Sequence, residues 1–237
     1  MNSNLVFPNT TGTLNPLARP FYPPIHTALT ILSLNCRSVV NKVAELTVMC
    51  NIYPPEVICL CETWLSPANL FSLAGYTVHR RDRPTSNIRS ANPTRGYGGV
   101  AILVKDGSFT SVKPLANLQQ PGLEAIWLEL RTANSPQRPL IVCATYRPPG
   151  GTLADIQAYS DGLEDCLLSL NLSVSTLLLT GDFNAHNSSW LAGDTTPVGQ
   201  CLETAFRCFG LEQLVNFPTH WSPSGRSSCL DLIVTNS

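Results

Sequence analysis

The sequence predicts an α/β domain in which helices cover mixed β-sheets. Short apolar runs alternate with amphipathic segments along the chain. Their order is strand–helix–strand, several strands in series, then helix–strand–helix–strand, which differs from a strict Rossmann alternation. The 237 residues are 43% hydrophobic and only 13% charged, a composition that can bury a sizeable core.

The first residues differ from the rest of the chain in composition. Residues 1–26 contain five prolines and show neither a helical nor a strand period, so we interpret them as a flexible leader. They lack the basic start and the compact apolar stretch of a secretory signal. The folded domain is therefore expected over residues 27–237.

The domain begins with a predicted strand–helix–strand unit. The apolar run at 30–34 indicates a buried strand, and apolar residues at steps of four, three and four over 39–50 mark one face of a helix. The proline pair at 54–55 ends this helix, because proline lacks the N–H that a helix interior needs. Residues 56–61 are the second strand.

Turns that contain glycine or proline divide the middle of the chain into five further strands. These strands are predicted at 76–82, 99–105, 108–115, 123–131 and 139–146. Apolar stripes at helical spacing predict a second helix over 152–170 and a third over 198–209. The apolar runs at 176–180 and 230–235 indicate two more buried strands.

Charge, apolar run length and cysteine content exclude several classes of protein. The formal net charge is −1, so a globally basic nucleic-acid coat is excluded and any site for a polyanion must be local. No apolar run approaches the roughly 20 residues of a membrane-spanning helix, so no membrane partner is expected. The nine cysteines include no C-x-x-C pair, and we expect small buried thiols in a reducing, intracellular compartment rather than a zinc site or disulfides. The signatures of P-loop, zincin and α/β-hydrolase enzymes are also absent from the sequence.

Polar residues stand at the ends of five predicted strands, a pattern typical of folds that gather a site at one edge of their sheets. They are Asn35, Glu62, Tyr146, Asp182 with Asn184, and Asp231. The strand period of two directs Asp182 and Asn184 to one side and Phe183 into the core. Gly181 permits a close backbone approach and leaves room for a ligand beside Asp182.

These groups suit the hydrolysis of a phosphoester. A carboxylate orients or deprotonates a water molecule, while a neighbouring amide donates to a phosphoryl oxygen without repelling it. Glu62 and Asp182 supply hard oxygen ligands, which favour Mg²⁺ or Mn²⁺ over zinc.

At these positions the sequence resembles the endonuclease/exonuclease/phosphatase superfamily. The motifs that carry the resemblance are Asn35, Glu62-Thr63-Trp64, Arg95-Gly96-Tyr97-Gly98-Gly99-Val100, Tyr146-Arg147-Pro148, Gly181-Asp182-Phe183-Asn184 and Ser228-Cys229-Leu230-Asp231. Variants such as ETWL, TYRPP and GDFNAHNSSW are similar to the apurinic-type endonuclease domain of LINE-type, non-LTR retrotransposons, from about Leu29 to Asn236. The resemblance implies a four-layer α/β/β/α sandwich of two mixed β-sheets flanked by helices.

The resemblance also implies a role for each matched residue. Glu62 is the main Mg²⁺ (or Mn²⁺) ligand, and Asn35 helps to order the metal and the phosphate. Tyr146 contacts the scissile phosphate, and Asp182 positions and activates the attacking water. Asn184 binds a phosphoryl oxygen and stabilises the transition state.

Residues near the end of the chain match the family only in part. Thr219 and Ser228 match polar positions that touch the DNA backbone, and Asp231 matches a residue that orients a catalytic histidine. In the family this histidine lies in a short Ser-Asp-His tail one strand further on, and no histidine of this chain matches that position. We therefore expect the domain to be C-terminally truncated, without its last strand and tail. Because such a donor contributes about 2.7–4 kcal/mol to the transition state, residues 1–237 alone should cleave DNA very poorly.

Basic and aromatic residues outside these motifs leave two interpretations open. Five arginines crowd residues 80–95 against a single aspartate. Among them Arg81, Arg83 and Arg95 are candidates for DNA phosphate contacts, and the alternative is a solvated surface loop. His220 and Trp221 have the chemistry to stack on a base, but we expect them to pack under their loop.

The function implied is that of a Mg²⁺-dependent DNA endonuclease domain of a retrotransposon. It would nick one strand of the target and leave a 3′-hydroxyl that primes reverse transcription. Its partners would be target DNA, the element RNA and a reverse transcriptase domain of the same polyprotein, acting in the nucleus. Two alternatives stay open: a phosphatase or lipid phosphodiesterase of the same fold, and a catalytically dead, truncated remnant that only binds DNA.

Overall fold

The structure, a computed structural model, describes residues 29–84, 97–135, 137–191, 194–222 and 225–237. The predicted leader at 1–26 lies outside these residues. The helices and strands in chain order are β1 (Ile31–Asn35), α1 (Val43–Ile52), β2 (Val57–Cys61), β3 (Tyr76–Arg81), β4 (Val100–Lys105), β5 (Ser111–Pro114), β6 (Ala125–Arg131), β7 (Leu140–Tyr146), α2 (Leu153–Leu168), β8 (Thr176–Asp182), α3 (Pro197–Cys208), β9 (Glu212–Gln213), β10 (His220–Trp221), β11 (Ser227–Ser228) and β12 (Asp231–Thr235). Single turns of 3₁₀-helix lie at Ala116–Leu118 and Ser188–Trp190.

Two mixed β-sheets form the centre of the molecule. One has four strands in the order β1-β2-β4-β3, and the other has six in the order β5-β6-β7-β8-β12-β9, counted over the described residues. Each sheet contains one parallel pair, β1 with β2 and β7 with β8, and its other neighbours run antiparallel. The strands β10 and β11 form a separate antiparallel pair.

Three apolar clusters define four layers. Side chains of β2 and β4 pack against those of β6 and β7 between the sheets, where Leu128 and Val142 are fully buried. The outer face of the small sheet packs on α1. The outer face of the large sheet packs on α2 and α3. The fold is therefore an α/β/β/α sandwich of two mixed sheets, as predicted.

The local sequence explains where the helices begin and end. The first helix begins at Val43 rather than at Val39, which is fully buried in the preceding turn, and it ends before the proline pair at 54–55. The second begins with a capping box in which Thr152 and Asp155 satisfy each other's main-chain N–H groups. In the third, Thr196 is the N-cap and a proline occupies the first turn.

All the predicted strands and helices are present, with boundaries shifted by a few residues. The three two-residue strands β9, β10 and β11 were not predicted, because two residues are too few to show a period. Seven of the nine cysteines are buried, as expected for small apolar thiols, whereas Cys201 is partly exposed and Cys208 is exposed on α3. No helix in the described part of the chain is long and apolar enough to span a bilayer.

Candidate active site

The six predicted strand-tip residues line one cleft of about 440 Å³. The parallel pairs β1–β2 and β7–β8 end at this edge, and β12 begins there. In the register of the strands, Tyr146 and Asp231 both lie opposite Asp182. The two sheets are joined below the cleft by a hydrogen bond of 2.6 Å from Thr180 Oγ1 to Ser33 Oγ. The topology thus brings together residues that are nearly 200 positions apart in the chain.

Asn35 links the two carboxylates at the centre of the cleft. Its Nδ2 donates to Glu62 Oε1 at 2.8 Å and to Asp182 Oδ2 at 2.8 Å. Because Asn35 lies on the small sheet and Asp182 on the large one, this amide connects the sheets as well as the carboxylates. These two hydrogen bonds fix the spacing of the two acids.

Glu62 is held by the turn that follows β2. Its φ is 53°, a left-handed value that is uncommon for a residue with a side chain. The main-chain N–H groups of Thr63 and Trp64 donate to the carbonyls of Gly99 and Gly98, at 3.1 and 2.8 Å. This pairing holds the turn in its strained conformation, and it aims the Glu62 carboxylate into the cleft.

The Gly181–Asn184 segment places a carboxylate and an amide side by side. Phe183 is fully buried against Phe206, as predicted. The N–H of Asn184 donates to Asp182 Oδ1 at 2.9 Å, which orients the carboxylate. The space beside Gly181 is taken by the backbone of β7, since a Cβ there would lie 1.8 Å from the carbonyl oxygen of Thr145. The predicted room for a ligand at this glycine is therefore wrong, whereas the predicted close backbone approach is confirmed.

Asp182 and Asp231 both line the cleft, and burial makes these two carboxylates harder to ionise. Burial, followed by the charge of Asp231, raises the pKa of Asp182 to about 7, although the Asn184 N–H and the Asn35 amide lower it. Burial also raises the pKa of Asp231, against the lowering effects of nearby donor and cationic groups. A cation beside the carboxylates lowers such pKa values, so the electrostatics of the cleft favour binding a positive ion.

The β10–β11 hairpin forms a wall of the cleft beside Asp231. Thr219 Oγ1 accepts hydrogen bonds of 3.0 Å from the N–H of Asp231 and from the N–H of the residue before it, which fixes the start of β12. Ser228 is buried, and its Oγ lies 3.4 Å from Nδ1 of His220, which also lines the cleft. Contacts of Thr219 and Ser228 with DNA stay predictions. Trp221 is 63% exposed, so the expected packing under its loop is wrong, because β10 and β11 stand outside the two main sheets.

Two of the candidate DNA-binding arginines bond to the protein itself. The guanidinium of Arg81 donates to three main-chain carbonyls in the segment 120–125. Arg83 forms an ion pair of 2.7 Å with Glu124. Arg95 lies outside the described residues. Contact of these arginines with DNA stays a prediction. In the structure Arg81 and Arg83 bond to the segment 120–125, which leads into β6 of the large sheet.

Tyr146 is held at the cleft by Glu124 and Arg83, the two residues of this ion pair. Its N–H donates to the carbonyl of Glu124 at 2.8 Å, and the Arg83 guanidinium carbon lies 5.5 Å from its ring centroid, within the range of a cation–π contact. Burial, followed by the charge of Glu62, raises the pKa of Tyr146. The phenol is therefore a hydrogen-bond donor at neutral pH.

The donor set fits a hard divalent cation that keeps most of its water ligands. Among the described residues, no three or more His, Cys, Asp or Glu side chains group closely enough to hold a metal by themselves. Mg²⁺ is usually held by only one or two carboxylates, and Glu62 and Asp182 supply two. Asn35 turns its Nδ2 towards both of them, and its Oδ1 accepts from the N–H of Arg37 at 3.2 Å. To serve as a metal ligand, as predicted, Asn35 would need its side-chain amide flipped, so that Oδ1 and not Nδ2 faces the carboxylates.

Two side chains that orient the site were not predicted as site residues from the sequence. Trp64 Nε1 donates to Glu62 Oε2 at 3.2 Å, so this ring orients the carboxylate. Arg147 donates to the main-chain carbonyl of Asn184 at 3.2 Å. Both residues stand within the quoted motifs, next to residues with predicted roles, and that proximity was the only signal in the sequence.

Comparisons with known proteins agree with this architecture. The pattern that defines the Endonuclease/Exonuclease/phosphatase family matches residues 32–237. No curated protein is similar to this chain in sequence at a significant level. The endonuclease domain of TRAS1, a telomere-specific non-LTR retrotransposon, superposes with a TM-score of 0.65 at 17% identity, covering 87% of this chain and 84% of that domain.

Two other solved structures are similar in fold. The AP endonuclease LMAP from Leishmania major gives a TM-score of 0.65 at 15% identity, over 88% of this chain and 79% of that one. The 3′ phosphatase NExo from Neisseria, bound to a product DNA hairpin, gives 0.60 at 16% identity, over 88% and 86% of the two chains. At these identities the structural similarities establish the fold alone.

Proposed function

The chain belongs to the endonuclease/exonuclease/phosphatase family, and on that premise we propose that it is a Mg²⁺-dependent DNA endonuclease that nicks one strand and leaves a 3′-hydroxyl. One observation carries the proposal. The amide of Asn35 joins Glu62 and Asp182 across the two sheets, in a cleft that also contains Asn184 and Tyr146. This is the set of donors and acceptors that hydrolysis of a phosphodiester requires.

Asp182 is the group that orients and deprotonates the attacking water. Its Oδ1 accepts from the Asn184 N–H and its Oδ2 from the Asn35 amide, so both oxygens are fixed in direction. Each carboxylate oxygen has a second acceptor site, which is available to water. Burial raises the pKa of this carboxylate above that of a free aspartate, which makes it a stronger proton acceptor for water.

Asn184 and Tyr146 are the donors that stabilise the phosphoryl oxygens. The Nδ2 of Asn184 gives one hydrogen to the carbonyl of Arg147 at 2.8 Å, and its second hydrogen is available to a substrate oxygen. The protonated phenol of Tyr146 supplies another donor at the cleft. Both are uncharged donors that the protein holds in one direction. They can therefore stabilise the negative charge that develops on the phosphoryl oxygens without first having to reorganise.

Mg²⁺, held by Glu62 with Asn35 and Asp182 close by, would supply a Lewis acid that neutralises the phosphate charge. Trp64 orients the Glu62 carboxylate for this task.

We propose DNA as the substrate because the neighbours in fold include proteins that act on DNA and because exposed aromatic rings stand beside the cleft. Phe217, which lines the cleft, is 61% exposed, and Trp221 on the adjoining hairpin is 63% exposed. Such rings can stack on bases. The likeness to the TRAS1 domain supports a further proposal, that the nick primes reverse transcription of an element RNA by a polymerase domain in the nucleus.

The test is nicking of supercoiled plasmid by excess protein, with Mg²⁺ or with EDTA. We expect slow, Mg²⁺-dependent conversion to open circles, and nicked ends that a DNA polymerase extends. Asp182→Asn should slow the reaction by about 10²–10⁴-fold. The matched control is Asp161→Asn on the exposed face of α2, which should leave the rate unchanged.

Four outcomes would contradict the proposal. Equal nicking in EDTA would remove the metal from the reaction, and an unaffected Asp182→Asn variant would remove the assigned base. Release of phosphate from 3′-phosphorylated DNA without nicking would identify a phosphatase instead. Salt-dependent binding to DNA with no cleavage would identify a non-catalytic remnant.

A further inference from the structure

Arg147 is a buried arginine whose guanidinium bonds to the main chain. The residue is only 6% exposed. Its Nη1 donates to the carbonyls of Pro148 and Asn184, at 3.1 and 3.2 Å, and its Nη2 donates to the carbonyl of Gly150 at 2.8 Å. A buried charge is costly unless it is well bonded, so this arrangement has to be matched by a structural or functional gain.

The same residue is joined to the site motif through its own main chain. The N–H of Arg147 donates to the carbonyl of Asp182 at 2.9 Å. Its carbonyl accepts from Nδ2 of Asn184 at 2.8 Å. Arg147 therefore makes three hydrogen bonds to Asp182 and Asn184, one by its N–H, one by its carbonyl and one by its guanidinium.

Asn184 requires such support because its backbone is strained. Its φ is 44°, in the left-handed region, which asparagine adopts more readily than other residues with a side chain but which still costs energy relative to the right-handed region. Strain of this kind persists only where the surroundings over-determine the conformation. The guanidinium of Arg147 holds the carbonyl of Asn184, and the carbonyl of Arg147 holds its amide, so both ends of the residue are fixed.

We propose that Arg147 is the positioning residue that holds Asn184 in its strained conformation and aims the second hydrogen of its amide into the cleft. The inference rests on the proposed function, since it assigns the reason why Asn184 is ready to bind a phosphoryl oxygen. Arg147 does not itself contact substrate in this scheme. A lysine cannot replace it, because one ammonium lacks the planar fork that reaches several carbonyls at once.

The test is a double-mutant cycle in single-turnover plasmid nicking, with Arg147→Met, Asn184→Ala and the double variant. Displacing a catalytic group by about 1 Å can cost roughly 100-fold, so we expect Arg147→Met to lower the rate constant by about that factor. The affinity for uncut DNA in Ca²⁺ should change less than about 2-fold. Since Arg147 acts through Asn184, the double variant should be no slower than Asn184→Ala alone.

The matched control is Arg131→Met, at the end of β6 away from the cleft, where the guanidinium bonds to Glu129. Arg131→Met should change the rate constant only slightly. In the double variant with Asn184→Ala, the two fold-changes in rate constant should multiply. Effects of Arg147→Met and Asn184→Ala that multiply in the same way would overturn the inference. If Arg147→Met does not fold, Arg147→Lys takes its place in the cycle, with the same expected pattern.

A second measurement separates this inference from the proposed function. The side-chain amide signals of Asn184 in a nitrogen–proton NMR spectrum should shift towards those of a free asparagine in Arg147→Met and stay in place in Arg131→Met. This result does not depend on cleavage. A wild-type protein that nicks no DNA would end the proposed function, whereas unchanged Asn184 signals would end the assignment of Arg147.

Discussion

Replacing Gly181 by alanine should separate the two strands that carry Tyr146 and Asp182. The φ of Gly181 is 149°, and a Cβ would lie 1.8 Å from the carbonyl oxygen of Thr145 and 2.8 Å from its carbonyl carbon. The contacted atoms belong to the backbone, so no side chain can move aside. The dihedral strain costs about 1–3 kcal/mol, and the overpacking adds about 1–3 kcal/mol. The free energy of unfolding should therefore fall by about 2–6 kcal/mol.

The assay is urea denaturation followed by tryptophan fluorescence, with Gly162→Ala as the matched control. Gly162 lies inside α2, and a Cβ there would meet its neighbours at an ordinary 3.7 Å. Alanine favours a helix interior over glycine by about 0.5–1 kcal/mol, so the control should be neutral or more stable. A Gly181→Ala protein as stable as the wild type would refute the steric argument. So would equal losses in the two variants.

Three further substitutions test the cleft, a half-buried histidine and a helix cap. Asn35→Ala removes two hydrogen bonds to carboxylates, each worth about 1.5–3 kcal/mol when fully formed. In urea denaturation at pH 8, the free energy of unfolding should therefore fall by at least about 2 kcal/mol. Burial lowers the pKa of His79 below 6.5, so the unfolded chain takes up this proton first and the contribution of His79 to stability is lost as pH falls below 6.5. The raised pKa of Asp182 acts in the opposite direction, so the comparison is with wild type: His79→Phe should raise the urea midpoint at pH 5.5 relative to that at pH 7.5. Thr152→Ala removes the cap of α2 and should cost about 1 kcal/mol in the same assay, whereas an unchanged midpoint would show that the capping box is not formed in solution.

The sequence was most informative where an apolar strand ends in a polar residue. The strands β2, β7 and β8 are mostly apolar, as strands buried on both faces are, and an ionisable residue at the end of such a run is expected at the edge of a sheet. That reasoning was enough to bring Glu62, Tyr146 and Asp182 to one cleft. It could not predict β10 and β11, whose pairing of His220 with Ser228 depends on residues eight positions apart and on no periodic pattern.

The sequence could not predict which groups hold the site residues in place. Asn35 was expected to order a metal, yet its amide donates to two carboxylates, a contact set by the packing of one sheet on the other. Arg81 and Arg83 were candidates for contact with DNA, with a solvated surface loop as the alternative, and in the structure both bond within the protein. A count of positive residues in a segment does not say which of them the fold uses for its own main-chain carbonyls and carboxylates, because those partners come from distant parts of the chain.

The geometry of the cleft depends on strained residues held by groups outside it. Glu62, Trp64 and Asn184 all have left-handed φ values, and each such residue costs about 1–3 kcal/mol. The turn that contains the first two is held by main-chain bonds from Thr63 and Trp64 to the glycine pair at 98–99, and the third residue is held by Arg147. Strain that is held in this way keeps the side chains in one direction before substrate arrives, so no reorganisation is needed in the reaction. It follows that substitutions at the glycine pair 98–99 or at Arg147 should lower activity, although they replace none of the residues that line the cleft.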